Sequence, residues 1–167
     1  MKRTENTAKY YQTFEDLEVY QVAREFRKSM CRVAKVLPQE EKFGLASQIR
    51  RAALSLTNNI AEGHGRFHFL EQIKFMLQSR GSLEELLDDL NVCEDENYLP
   101  IEKIETLKQQ AWTVHKLTNG YIRFLRSRVD GASSRVQEST DMELDDDELN
   151  TWLAGRFNSS TLHPFNE

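Results

Sequence analysis

The sequence predicts an all-α protein: an antiparallel up-down-up-down four-helix bundle with a flexible acidic C-terminal tail. Three observations carry that prediction. Apolar residues recur at steps of three and four through four successive stretches, the mark of helices with one buried face. Turn formers are scarce, with 7 Gly and 3 Pro among 167 residues, too few for a many-stranded β fold. The breaks between stretches are short, which makes consecutive helices antiparallel neighbours.

Residues 1–12 are polar, with Tyr10 and Tyr11 paired, and read as an N-terminal extension. Thr13 then offers an N-cap with Asp16 three residues on. Apolar residues from Phe14 and Leu17 to Leu37 make the first stripe, and Pro38 stops it. The second helix falls between Gln39 and about Gly65, with Leu45, Ile49, Ala52, Ala53, Leu56 and Ile60 as its stripe. Its many small residues let a neighbouring helix come close. Gly63 and Gly65 are positioned to supply the left-handed or extended backbone that ends a helix.

The third helix is expected from about Phe67 to Asn97, burying Leu70, Ile73, Leu77, Leu83, Leu86, Leu87, Leu90 and Cys93. Gly81 inside it points to a close contact or a bend, since glycine there costs about 1 kcal/mol against alanine. Pro100 opens the fourth helix, where a missing N–H does no harm. That helix carries Ile101, Ile104, Leu107, Ala111, Val114, Leu117, Thr118, Tyr121 and Leu125 and is expected to end near Arg128. Residues 13–128 thus form the bundle. Asp130 to Ser134 reads as a linker into a tail, residues 129–167.

The length allows one domain of ordinary size. No apolar run approaches the roughly 20 residues of a membrane span, and the N-terminus has no apolar signal core. A cytoplasmic location with no membrane partner is expected. Two cysteines give neither a disulfide framework nor a cysteine-based metal site. Charge divides along the chain. Residues 1–128 hold 20 Lys+Arg against 18 Asp+Glu, whereas residues 129–167 hold 2 against 9. The acidic balance belongs to the tail, so it does not exclude nucleic acid as a partner of the body.

Three blocks resemble one family when taken in order: Thr13 to Tyr20, Ser47 to Ala53 with Arg50-Arg51, and Asn59-Ile60-Ala61-Glu62-Gly63. The likeness extends to Gly81 to Leu86 and covers about residues 13–128. The sequence is similar to the four-helix-bundle proteins encoded in intervening sequences of bacterial 23S rRNA genes. That resemblance implies an antiparallel bundle assembled as a homopentamer, with no catalytic activity attached. It is related to the accessory protein of diversity-generating retroelements, a basic pentamer that binds nucleic acid and a reverse transcriptase. Thr57 stands where many members have proline, which predicts a milder kink in the second helix. Phe67-His68-Phe69 replaces a basic run after Gly65-Arg66.

Arg50, Arg51, Arg66, Lys74 and Arg80 are the candidate phosphate contacts, since residues 43–80 hold five Lys+Arg against Glu62 and Glu71 alone. Arginine's planar fork matches phosphate oxygens. A solvated face or ion pairs between subunits would explain them without any ligand and is the simpler account. Glu84 to Glu96 carries seven acids and no Lys or Arg, an acidic face that a neighbour's basic face could meet head to tail. Asn59, Glu62 and Gly63 are read as a structural or oligomer-interface motif rather than a catalytic one. Neither the histidines nor any Gly-rich loop forms a recognisable catalytic or metal motif, so no enzyme and no cofactor is expected.

Six acids in the eight residues from Asp141 to Glu148 precede Leu149, Trp152, Leu153 and Phe157. A short helix near 144–157 would present those four as a docking face for a protein partner. The leading expectation is a non-enzymatic homo-oligomer that contacts RNA, or DNA, through phosphates. The alternative is an oligomeric scaffold whose tail docks a protein partner without nucleic acid. The two join if the acidic tail covers the basic surface and weakens its binding.

Overall fold

A computed structural model describes residues 13–132. It contains α1 (Glu18–Val36), α2 (Leu45–His64), α3 (Phe69–Asp95) and α4 (Ile101–Ala132), and no strand among the described residues. The N-terminal extension and the tail segment with Leu149, Trp152, Leu153 and Phe157 lie outside the described residues. α2 packs against α1 and α3, and α4 against the same two, so α1 and α3 sit diagonally across the bundle. The four-helix prediction holds.

The ends of the helices differ from expectation in instructive ways. The Thr13 capping box forms, with Thr13 Oγ1 accepting from the Glu15 N–H at 3.2 Å and Asp16 Oδ2 accepting from the Thr13 N–H at 3.2 Å. It caps a single 3-10 turn, Phe14–Asp16, and α1 begins only after Leu17. At the start of α2, Glu41 Oε2 accepts from the Leu45 N–H at 3.0 Å and its other oxygen accepts from the Tyr98 hydroxyl at 3.0 Å. One carboxylate thereby ties two loops together. Among the described residues no glycine has positive φ, and Gly65 is right-handed at φ −74. Among them the left-handed residue is Asn97, φ 55, which ends α3 with Tyr98 N–H on the Cys93 carbonyl at 2.9 Å and Asn97 N–H on that of Glu94 at 3.1 Å. That pair of bonds is a Schellman motif, with asparagine where glycine is commonest. α4 runs on through the first residues of the expected linker to Ala132, with Val129 still packed against the core.

Phe26, Met30, Ile49, Leu56, Ile60, Met76, Leu83, Leu86, Leu90, Ile104, Leu107 and Leu125 fill the centre. Burying each contributes about 1.5–3 kcal/mol against exposure. The expected stripe of α3 is corrected at two places: Leu70 is 67% exposed and Leu77 37%. Ser79 and Ser82 occupy the buried face instead. Ser79 Oγ donates to the Leu56 carbonyl at 2.7 Å, and Ser82 Oγ to Ser55 Oγ at 2.8 Å. Small hydroxyl residues allow α3 to approach α2 while satisfying their own polar atoms. On α4, Ile101 is exposed where a place in the apolar stripe would bury it, and Ile122 is buried.

Gly81 faces open space, with nothing within 4 Å of where a Cβ would stand. It permits no close contact within the described chain. Gly81→Ala is expected to raise the bundle's stability by about 0.5–1 kcal/mol, the helix-propensity difference. A urea titration checks this, and an unchanged or lower midpoint refutes it. Among the described residues, no helix is long and apolar enough to cross a membrane.

Candidate nucleic-acid interface

Helix by helix, charge is unevenly placed. α1 carries five Lys/Arg against two Glu, while α3 carries two Lys/Arg against seven acids. Because these helices are diagonal, a basic side and an acidic side face away from one another.

The five basic residues expected to meet phosphate do not share one patch. Arg50 lies at the α1–α2 seam, where Nη2 donates to the Ala34 carbonyl at 2.9 Å. It thereby satisfies one of the carbonyls left over at the end of α1. Arg51 is exposed on α2. Arg66 stands beyond the end of α2, about 20 Å along the axis from Arg50 at 1.5 Å per residue. It pairs with Glu62 and lies over the Phe75 ring, 4.7 Å from its centroid. Lys74 is exposed on the first half of α3. Arg80 reaches across the α3–α4 seam, donating to Asn119 Oδ1 at 3.1 Å. Three of the five therefore already hold protein partners, and only Arg50 and Arg51 are close along one helix.

The Asn59, Glu62, Gly63 motif divides in the same way. Asn59 Nδ2 donates to the Ser55 carbonyl at 2.9 Å and to Ser55 Oγ at 3.1 Å, joining the serine network between α2 and α3. Gly63 is buried because α3 crosses directly over it. Glu62 points outward to Arg66. Such an exposed pair contributes at most about 1 kcal/mol. Glu62→Gln is expected to shift the urea midpoint by less than about 1 kcal/mol equivalent. A larger loss would give Glu62 a structural role the geometry does not explain.

Sequence reasoning missed several residues. Asp89, 1% exposed, accepts from Gln48 Nε2 at 2.8 Å through Oδ1, while Oδ2 is buried without a partner. Burial raises its carboxyl to about 6, against the opposing pull of the Gln48 hydrogen bond. Burial likewise pushes the Cys93 thiol up to about 11, with the Asp89 charge adding to it. The cations of α1 were missed too. Arg24, Arg27, Lys28, Arg32 and Lys35 recur at helical spacing, a signal present in the sequence but obscured by counting charge in long windows. Among the described residues, no three His, Cys, Asp or Glu gather as metal ligands would. His64 ends α2 and His68 precedes α3, so their four-residue spacing does not lie on one helix.

Residues 15–120 match the family model described as 23S rRNA-intervening sequence protein. The chain belongs to this family. No match was found among curated proteins. The family match begins in the 3-10 turn and ends inside α4, so it takes in all of α1, α2 and α3. At the family's proline position, Thr57 is buried, accepting from Arg27 Nη1 at 2.8 Å and donating to the Leu54 carbonyl at 3.3 Å. α2 is unbroken there. Where the family's basic run is replaced, Phe67 is 90% exposed.

Proposed function

We propose that this 23S rRNA-intervening sequence protein is a non-enzymatic homo-oligomer that binds RNA through its phosphates, on the side of the bundle away from α3. The observation that supports this is the separation of charge. α1, α2 and α4 together carry thirteen Lys/Arg against six Asp/Glu, and α3 carries the reverse bias. A side on which cations outnumber acids about two to one attracts a polyanion over a Debye length, and phosphate contacts bind without reading sequence. The family's name accords with an RNA partner.

Self-association draws on a different face. Leu70 and Leu77 are exposed on α3 and fall on one side of that helix, a surface a second copy would cover. Sedimentation of the full chain tests this. A multimer that Leu77→Asp dissociates is expected, and a monomer in the wild type refutes it.

The RNA reading is tested by fluorescence anisotropy of a labelled single-stranded oligoribonucleotide with the full chain over a salt series. Affinity that falls steeply and linearly in log salt is expected. No binding at low salt overturns the reading.

A further inference from the structure

We infer that the solvent face of α1 is the phosphate-binding track for RNA, a statement that rests on the RNA reading above and narrows it to one ridge. Arg24, Lys28, Arg32 and Lys35 are all exposed. At 3.6 residues per turn they fall within an arc of about 80°, and they span about 16 Å along the helix. Successive cations are one turn apart, so they form a line of positive charge rather than a scattered coat. Glu25 is the acid at its edge, and it is held by Lys28 at 2.6 Å.

The α2 side of the ridge is reinforced. Arg27 is held by the Thr57 hydroxyl at 2.8 Å, and Arg50 by the Ala34 carbonyl at 2.9 Å. Each bond uses one guanidinium nitrogen, and each side chain stays part-exposed, which leaves further N–H donors for an anion. Two arginines fixed by hydrogen bonds lose less conformational entropy on binding than free ones. The acids of α3 lie across the bundle diagonal, too far to neutralise the ridge through water at physiological salt. The track therefore takes a linear polyanion. Its shape, one helix long and convex, suits a single strand or the backbone of a stem rather than a pocketed small anion.

The test uses the full chain and a fluorescein-labelled single-stranded oligouridylate. For the wild type the slope of log affinity against log salt is expected at about −3 or steeper, from four contacts at about −0.7 each. Reversing the ridge together (R24E, K28E, R32E, K35E) is expected to lower affinity at low salt by about 100-fold and to flatten the slope by about 3. A second variant, R24K with R32K, keeps the charge and is expected to stay within about threefold of wild type. Circular dichroism and sedimentation accompany each variant. Wild-type binding that survives the ridge reversal overturns the track alone, as does a larger loss from reversing Arg66 and Lys74. No binding by the wild type overturns the RNA reading itself. A ridge variant that stays folded but changes its oligomeric state makes α1 a subunit contact and also overturns the track.

Discussion

Gly63→Ala is expected to destabilise the bundle by about 1–2 kcal/mol, although alanine is the better helix former. A Cβ at Gly63 would stand 2.9 Å from Phe75 Cβ and 3.4 Å from the Gln72 carbonyl oxygen. Phe75 Cβ sits next to the α3 backbone, so it cannot swing aside. The helices must separate by several tenths of an ångström. Overpacking of this kind costs about 1–3 kcal/mol. The gain in propensity is at most about 1 kcal/mol and is smaller in the last turn of a helix. Phe75 also carries the Arg66 guanidinium on its ring, so the strain reaches the α2–α3 turn. Urea unfolding of Gly63→Ala beside Gly81→Ala gives the contrast directly. The two substitutions are chemically identical and should move the midpoint in opposite directions. A Gly63→Ala protein as stable as wild type would show that α3 does not approach α2 so closely.

The second large effect concerns Asp89. Its folded carboxyl stands at about 6 against an ordinary 3.8, so the folded protein holds a proton that the unfolded chain gives up. Stability from this group therefore rises as pH falls from about 6 towards 4, the reverse of a salt-bridged carboxylate. Above pH 6 the buried charge imposes a constant cost. Asp89→Asn keeps an oxygen for Gln48 and removes that charge. The variant is expected to exceed wild type by about 1–3 kcal/mol at pH 7, and the advantage should shrink as pH falls to 4. Urea midpoints of both proteins across that range test it. An advantage that does not change with pH would place the effect in packing rather than in the charge. The unpartnered Oδ2 is the physical reason for the penalty, since a buried anion with one hydrogen bond is poorly compensated.

Much of the bundle was legible because helix burial is periodic. The steps of three and four in α1, α2 and the second half of α3 name the residues that the structure buries. The reading failed where residue type and helix face part company. Leu70 and Leu77 are apolar yet face outward, while Ser79 and Ser82 are polar yet face α2. A serine whose hydroxyl bonds to the facing helix costs little to bury, and its small volume fits a close crossing. Hydropathy alone does not register either property. Capping chemistry was read correctly at Thr13, but the helix it caps is one turn long.

The candidate interface was only partly legible for a related reason. Counting charge along residues 43–80 collects Arg50, Arg66 and Arg80, which the fold sends to three separate places. The cations of α1 escaped that count, although their four-residue spacing puts them on one line. What the sequence by itself determined is the class of fold, the number of helices, the antiparallel order and the acidic end of α3. These follow from local periodicity and composition. Only the tertiary structure decided that α1 and α3 are diagonal, that Gly63 exists for a helix crossing and Gly81 does not, and which arginines are already engaged. Those facts depend on contacts between residues distant in sequence, and no local pattern encodes the distance between two helix faces.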